Sequence, residues 1–281
     1  MRTRTSKPVE LPQKIRKHYD RAQERSRLFT HAGRLEFLRT KELISRHLPK
    51  KRAVILDIGG GPGAYGFWLA NLGHAVHLVD AVPKHIRQAE QTSRSRRGHP
   101  LASARVGDAR DLEFNGRIAD AALLLGPLYH LVEKRDRLKA LREARRTLRP
   151  GGLLFAAVIS RFASAFDGLW RNFIADPEFF RTIQRDLRSG QHRNRTNHPD
   201  YFTTAFFHHP DEIRNEIREA GFEAPQLYAI EGPGWLLPNF ERAWTDPALK
   251  RRLLKIVRAV ETEAALLGQS AHILAVARKK R

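Results

Sequence analysis

The segment Val54-Ile55-Leu56-Asp57-Ile58-Gly59-Gly60-Gly61-Pro62-Gly63 constrains the fold of this chain more than any other. A short apolar run of strand type ends in an acid and a cluster of glycines, and Ala64 to Leu72 follows with helical spacing. Glycines let the backbone turn sharply and let a ligand approach without meeting Cβ atoms. The first N–H groups of the helix then face the same point. Strand, glycine loop and helix in that order predict a compact polar ligand at the loop.

The alternation continues along the chain. Gly73 closes the helix, Ala75 to Val79 reads as a strand ending in Asp80, and Pro83 opens a helix through Ala89, proline being favoured in the first turn. Ala104 to Val106 precedes Gly107-Asp108, and Ala119 to Leu125 precedes Gly126-Pro127. A basic helix is expected over Lys134 to Leu148, after which Pro150-Gly151-Gly152 turns the chain into the strand Leu153 to Ile159. Strands separated by helices at this spacing predict an α/β fold, with a doubly wound, seven-stranded, mostly parallel sheet covered on both faces. Two helices are expected in residues 1–52, one opening at Leu11-Pro12, and residues 53–160 form the core. Residues 161–209 break the rhythm; rich in aromatics, Arg and His, they read as an inserted cap that chooses the substrate. Residues 210–281 complete the sheet through a helix from Asp211 to Ala220, a strand from Phe222 to Ile230, a long helix from Pro247 to Leu267 and a strand from Ala271 to Ala277.

Composition narrows the function classes. There is no cysteine, which excludes disulfides, thiolate catalysis and cysteine-built zinc sites. Apolar stretches such as Gly152 to Ile159 are far too short to span a bilayer, and the amino terminus lacks the apolar centre of a secretory signal. A cytoplasmic protein with no membrane partner is therefore expected. Of the net charge of +21, residues 1–52 carry +11, from 16 Lys/Arg against 5 Asp/Glu. Two readings of that excess stand: a solvated basic face, or a contact surface for the phosphates of a nucleic acid.

The strand ends carry the chemistry. Asp57 directly before the glycines suits the cationic methionine end of S-adenosylmethionine and would repel a dinucleotide's pyrophosphate. Asp80 ends the next strand, where a carboxylate accepts from both hydroxyls of a ribose. Asp108 follows the third, in reach of an adenine amino group. No Gly-Lys-Ser/Thr follows the glycines, which disfavours a Walker-type phosphate loop. After the fourth strand, His130 is the best-placed base, and Tyr129 could set its aromatic face beside a sulfonium. Each also reads as an ordinary structural residue. His192, His198, His208 and His209 match no tight ligand spacing, so no metal is expected. His208 or His209, beside the helix-starting Pro210, is a second candidate base.

Over most of residues 53–160, and in the last strand, the chain resembles the class I, Rossmann-like S-adenosylmethionine-dependent methyltransferase superfamily. Leu125-Gly126-Pro127-Leu128-Tyr129-His130 followed by Arg149-Pro150-Gly151-Gly152 is similar to its small-molecule type. The resemblance implies that Asp57, Gly59, Gly61 and Gly63 hold the methionine moiety, Asp80 and Ala81 the ribose, and Asp108 and Ala109 the adenine. It also implies that Leu125 and the residues after it face the methyl group. The helices before residue 53 would then fold over the cofactor as a lid, bringing Tyr19 close and pairing Arg39 with its carboxylate. Members that methylate exocyclic base amines carry Asn/Asp-Pro-Pro-aromatic where Gly126-Pro127-Leu128-Tyr129 stands here. The expected function is methyl transfer to an oxygen or nitrogen of a small molecule. Alternatives are an RNA methyltransferase using the basic amino-terminal region, a non-catalytic cofactor-binding module associated with nucleic acid, and, more distantly, a nicotinamide-dependent oxidoreductase.

Overall fold

The computed structural model describes residues 28, 29, 32–96, 98–196 and 198–281. The helix expected at Leu11-Pro12, and Tyr19 with it, lies outside them. In chain order come α1 (Gly33–His47), β1 (Val54–Ile58), α2 (Ala64–Asn71), β2 (Ala75–Asp80), α3 (Pro83–Ser95), β3 (Ser103–Val106), β4 (Ala119–Leu124), the one-turn α4 (Pro127–His130), α5 (Lys134–Thr147) and β5 (Leu148–Ile159). There follow α6 (Ala163–Trp170), α7 (Pro177–Ser189), β6 (Gln191–His192), β7 (Ala205–Phe206), α8 (Pro210–Glu219), β8 (Gln226–Ala229), α9 (Phe240–Thr245), α10 (Pro247–Ala259) and β9 (His272–Arg278).

The seven strands are ordered β3-β2-β1-β4-β5-β9-β8. Every neighbouring pair is parallel except those made by β9, which runs antiparallel to β5 and to β8. The strand order reverses between β1 and β4, and in such a sheet the crevice outside the carboxyl ends at that reversal is where ligands sit. Side-chain alternation builds the two cores. Leu56 and Ile58 of β1 turn to the face covered by α5 and α8, where Leu141, Ala144, Ile213 and Ile217 meet them. Ile55 turns to the opposite face, against Leu43 and Ile44 of α1 and Phe67 and Leu69 of α2.

Four elements depart by more than two residues from the expected boundaries. The helix from Pro83 runs past Ala89, its last buried residue, to Ser95. The helix from Pro247 ends at Ala259 rather than Leu267. Its buried residues Leu253, Leu254 and Val257 finish there, and the Glu261 carbonyl accepts the Ala229 N–H at 2.7 Å, which pulls the chain off the helical path. The strand expected from Phe222 shortens to Gln226–Ala229, with Phe222 keeping only an isolated bridge to Lys279. β5 begins at Leu148, before the turn at Gly151 (φ +76°), because Leu148 already pairs with Ala119; the register then shifts.

Residues 161–209 fold as α6, α7 and the β6–β7 pair, and rejoin the sheet where His208 bridges Ser160. Asp176 caps α7 by accepting the Glu178 N–H, and Gly190 ends it at φ +69°. Buried His192 is held between Asp186 (Nδ1 to Oδ2, 2.7 Å) and the Tyr201 carbonyl (2.8 Å). Among the described residues no helix is long and apolar enough to cross a membrane.

Candidate functional site

The loop after β1 takes a path that only glycine adopts readily. Gly59, Gly61 and Gly63 have φ of +70°, +57° and +94°. The Gly59 N–H donates to the Val79 carbonyl at 2.7 Å, and a Cβ there would stand 2.4 Å from Pro127 Cγ. The glycine thus allows the loop after β1 to lie directly against the loop after β4.

Under this loop sit two carboxylates. Asp57 is buried, and its Oδ2 has no hydrogen-bond partner. Burial, then the neighbouring charge of Asp80, push its pKa up to about 7, while the Gly66 N–H acts the other way. Asp80 is buried but well supplied: Oδ2 accepts the Gly61 N–H at 2.8 Å, Oδ1 accepts the Val82 N–H at 2.8 Å, and His85 Nδ1 lies 3.1 Å from Oδ1. A buried acid with one oxygen unpaired, beside a second acid and under a glycine cradle, suits a ligand with a positive charge and hydroxyl groups. Those are the features of the methionine and ribose parts of S-adenosylmethionine, so the residues fit that cofactor.

Half-buried Ala81 follows Asp80 on the rim, and Asp108 and Ala109 lie beyond β3. Asp108 does not stand open as expected. Both of its carboxylate oxygens accept from Arg110, at 2.7 to 3.1 Å, and Arg110 also reaches Asp136. Burial opposes ionisation of Asp108, but the Arg110 hydrogen bonds prevail and hold its pKa below the ordinary carboxylate value. Ala109 packs on the core.

Past β4, half-buried Leu125 leads to Gly126, where an added Cβ would stand 3.3 Å from the Gly59 carbonyl and 3.6 Å from Tyr129 Oη. The Tyr129 hydroxyl therefore points back towards the glycine loop. Its ring is buried, 4.6 Å from that of His130, and His130 stacks on Phe202 at 6.0 Å. The glycine loop, with Asp57 and Asp80 beneath it, thus lies against the stretch from Leu125 to His130 at the carboxyl ends of β1 and β4.

Arg39 and His209 are placed elsewhere. The Arg39 guanidinium is fully buried and its two terminal nitrogens bond to Glu42 and Glu261, so it ties α1 to the chain after α10 in place of the expected cofactor carboxylate. His209 is exposed at the start of α8; its N–H donates to Glu212 at 2.7 Å and its ring meets Phe162 edge-on. Its neighbour His208 is buried against Glu216, 3.3 Å away, and burial outweighs that carboxylate to lower its pKa.

One cluster has no counterpart in the sequence reading. His272 Nδ1 lies 2.7 Å from Glu231 Oε1 and 4.0 Å from Glu36 Oε2, at the carboxyl edge where β9 begins and β8 ends. Glu231 also accepts from Ser270 Oγ at 2.8 Å and the His272 N–H at 3.0 Å. Contributions from three distant stretches leave no local spacing by which the sequence could have signalled it.

Residues 55–152 match a family described as a methyltransferase domain. Over 184 residues the chain is 30% identical to a ubiquinone biosynthesis O-methyltransferase of Methylocella silvestris, which covers 53% of this chain and 68% of the relative. Over 209 residues it is 26% identical to a ubiquinone/menaquinone biosynthesis C-methyltransferase of Acidiphilium cryptum, with 70% and 79% covered. A solved SAM-dependent methyltransferase from Methanosarcina mazei superposes with a TM-score of 0.57 at 18% identity, over 85% of this chain and 97% of the other, a likeness of fold.

Proposed function

The chain belongs to the class I S-adenosylmethionine-dependent methyltransferase superfamily, and from that premise we propose that it methylates an oxygen or nitrogen of a small molecule. The observation that carries the site assignment is the buried Asp57 carboxylate, whose Oδ2 has no hydrogen-bond partner, beside Asp80 and beneath the glycine loop.

In this reading Asp57 balances the positive charge of the methionine end, while Gly59, Gly61 and Gly63 leave room for it against the backbone. Asp80, with Ala81 beside it, accepts from the ribose hydroxyls. Asp108 and Ala109 flank the adenine; an ionised carboxylate has about four lone-pair sites, so Asp108 accepts an amino group without releasing Arg110. Bound, S-adenosylmethionine supplies an electrophilic methyl group on a sulfonium. Tyr129 offers that cation an aromatic face, and Leu125 closes the crevice beside it. His130 takes the proton that an acceptor hydroxyl or amine gives up, and the loop contact between Gly59 and Pro127 fixes the approach.

Three things support a small acceptor. The curated relatives named above are ubiquinone and menaquinone biosynthesis enzymes. The loop after β4 lacks the Asn-Pro-Pro-aromatic pattern of base-amine methylation. The aromatic set Tyr129, His130 and Phe202, with residues 161–209 as the cap, suits a compact, flat molecule. Residues 210–281 complete the core, and α1 packs on the sheet face instead of lying over the cofactor as the expected lid.

Incubation with methyl-labelled S-adenosylmethionine and a whole-cell extract tests the reading. Label is expected in the small-molecule fraction; label in RNA instead would make the basic amino-terminal region a substrate platform and overturn the acceptor class.

A further inference from the structure

The exposed apolar side chains of this protein are unevenly placed. Of nine large hydrophobic residues exposed among the described ones, five lie within one short stretch: Leu169 and Trp170 at the end of α6, Ile174, and Phe180 and Leu187 of α7. Their exposures run from 41% to 64%, well beyond what single scattered surface residues need explaining. They belong to one packed unit. Gly168 of α6 has no side chain because Ile183, Phe179 and Ile174 crowd it, which presses α6, the turn at Ile174 and α7 together.

Helix α7 shows the pattern most clearly. Phe179, Ile183 and Asp186 are buried inward, with Asp186 holding His192, while Phe180 and Leu187, seven residues apart, share an outward stripe. Beside that stripe runs a basic row, Arg181, Arg185 and Arg188. Arg181 pairs with Glu178, Arg185 reaches the Arg193 carbonyl, and Arg188 is exposed. An apolar stripe edged by arginines on one exposed helix face, in a chain of net charge +21, has the chemistry of a helix lying in the headgroup region of an anionic bilayer.

We infer that the face formed by the end of α6 and the outer side of α7 docks on an anionic lipid surface, with Trp170, Phe180 and Leu187 entering the headgroup boundary and Arg181, Arg185 and Arg188 meeting lipid phosphates. This surface contact differs from spanning, for which no helix among the described residues is long and apolar enough. It does not depend on the identity of the acceptor. Residues 161–209 leave and rejoin the sheet at the carboxyl end of β5, so the docking unit is joined to the edge of the sheet that carries the crevice.

Flotation of the full chain with vesicles containing phosphatidylglycerol, against pure phosphatidylcholine vesicles, tests the inference. The native chain is expected to float with the former. Combined Trp170→Ser, Phe180→Ser and Leu187→Ser leaves the net charge unchanged and is expected to weaken partitioning about tenfold or more, as is Arg181→Gln with Arg185→Gln and Arg188→Gln. Circular dichroism of both variants is expected to match the native chain, since the three apolar positions are exposed and glutamine at 185 keeps a donor for the Arg193 carbonyl. Undiminished binding by the serine variant would assign the attraction to basic charge elsewhere and overturn the proposal. So would absence of binding by the native chain, or sedimentation showing a native dimer that the serine variant breaks, which would make the face a contact between two copies.

Discussion

The carboxylate of Asp80 accepts the Gly61 N–H at 2.8 Å, so the end of β2 holds the tip of the loop that follows β1. Replacing Asp80 by alanine removes that tie together with the acceptors assigned to the ribose. Two hydrogen bonds to a charged group, each worth about 1.5–3 kcal/mol, correspond to a loss of about a hundredfold or more in S-adenosylmethionine affinity. Calorimetric titration reads it directly, and near-native affinity would remove the ribose assignment.

The raised pKa of Asp57 gives two opposite pH trends. Its folded-state value of about 7 lies above the ordinary 3.8, so its protonated form favours the cofactor-free fold. That contribution is whole below about pH 4 and is lost as pH rises towards 7. A cationic ligand favours the ionised form instead, so cofactor affinity is expected to rise between pH 6 and pH 8, with proton release on binding at the lower pH. Asp57→Asn should abolish the proton release and flatten the melting temperature of the cofactor-free chain over this range. Equal proton release by native chain and variant would show that another group titrates.

Gly59→Ala introduces a Cβ into the Pro127 ring and a side chain at φ +70°. The backbone strain alone costs about 1–2 kcal/mol. A lower melting temperature and weaker cofactor binding are expected together. Gly73→Ala is the control, for it also has positive φ but nothing within 4 Å of its Cβ, so it should lower stability and leave affinity as it was.

For His130→Ala, turnover is expected to fall by about a hundredfold or more while cofactor affinity is kept, the size of a typical general-base contribution. Single-turnover transfer on the identified acceptor, measured across pH, separates the two. Unchanged turnover would discard His130 as the base.

Arg137 is buried in a bidentate pair with Glu216 and stacks 3.8 Å over Phe206, linking α5, α8 and β7. Arg137→Ala leaves Glu216 buried with only His208 beside it, a change expected to cost about 3–5 kcal/mol in urea unfolding. A loss below about 1 kcal/mol would mean that solvent reaches Glu216 readily.

The sheet and the crevice were legible because their signals are local. Each strand of the first half ends at a glycine, a proline or an acid, and Asp57, Asp80 and Gly126 mark their own positions. What depends on distant partners was not legible. The Glu261 carbonyl leaves the helix to bond Ala229, and the Glu261 side chain takes Arg39, which explains both the overlong helix and the misplaced arginine. Asp108 was half legible: its place on the rim follows from the strand before it, but its pairing with Arg110 depends on a loop conformation that spacing does not encode. Glu36, Glu231 and His272 meet only once α1, β8 and β9 have assembled.

That assembly has an order imposed by synthesis. β9 pairs with β5 along seven residue pairs and with β8 along four, yet of the seven strands of this sheet it is the last to leave the ribosome. Until residues 272–278 emerge, the edge of β5 stays bare and β8 has no partner among the other sheet strands. The nascent chain is therefore expected to hold β1 to β5 as an unsealed half-sheet, the stage at which chaperones would engage it and at which edge-to-edge aggregation is most to be expected.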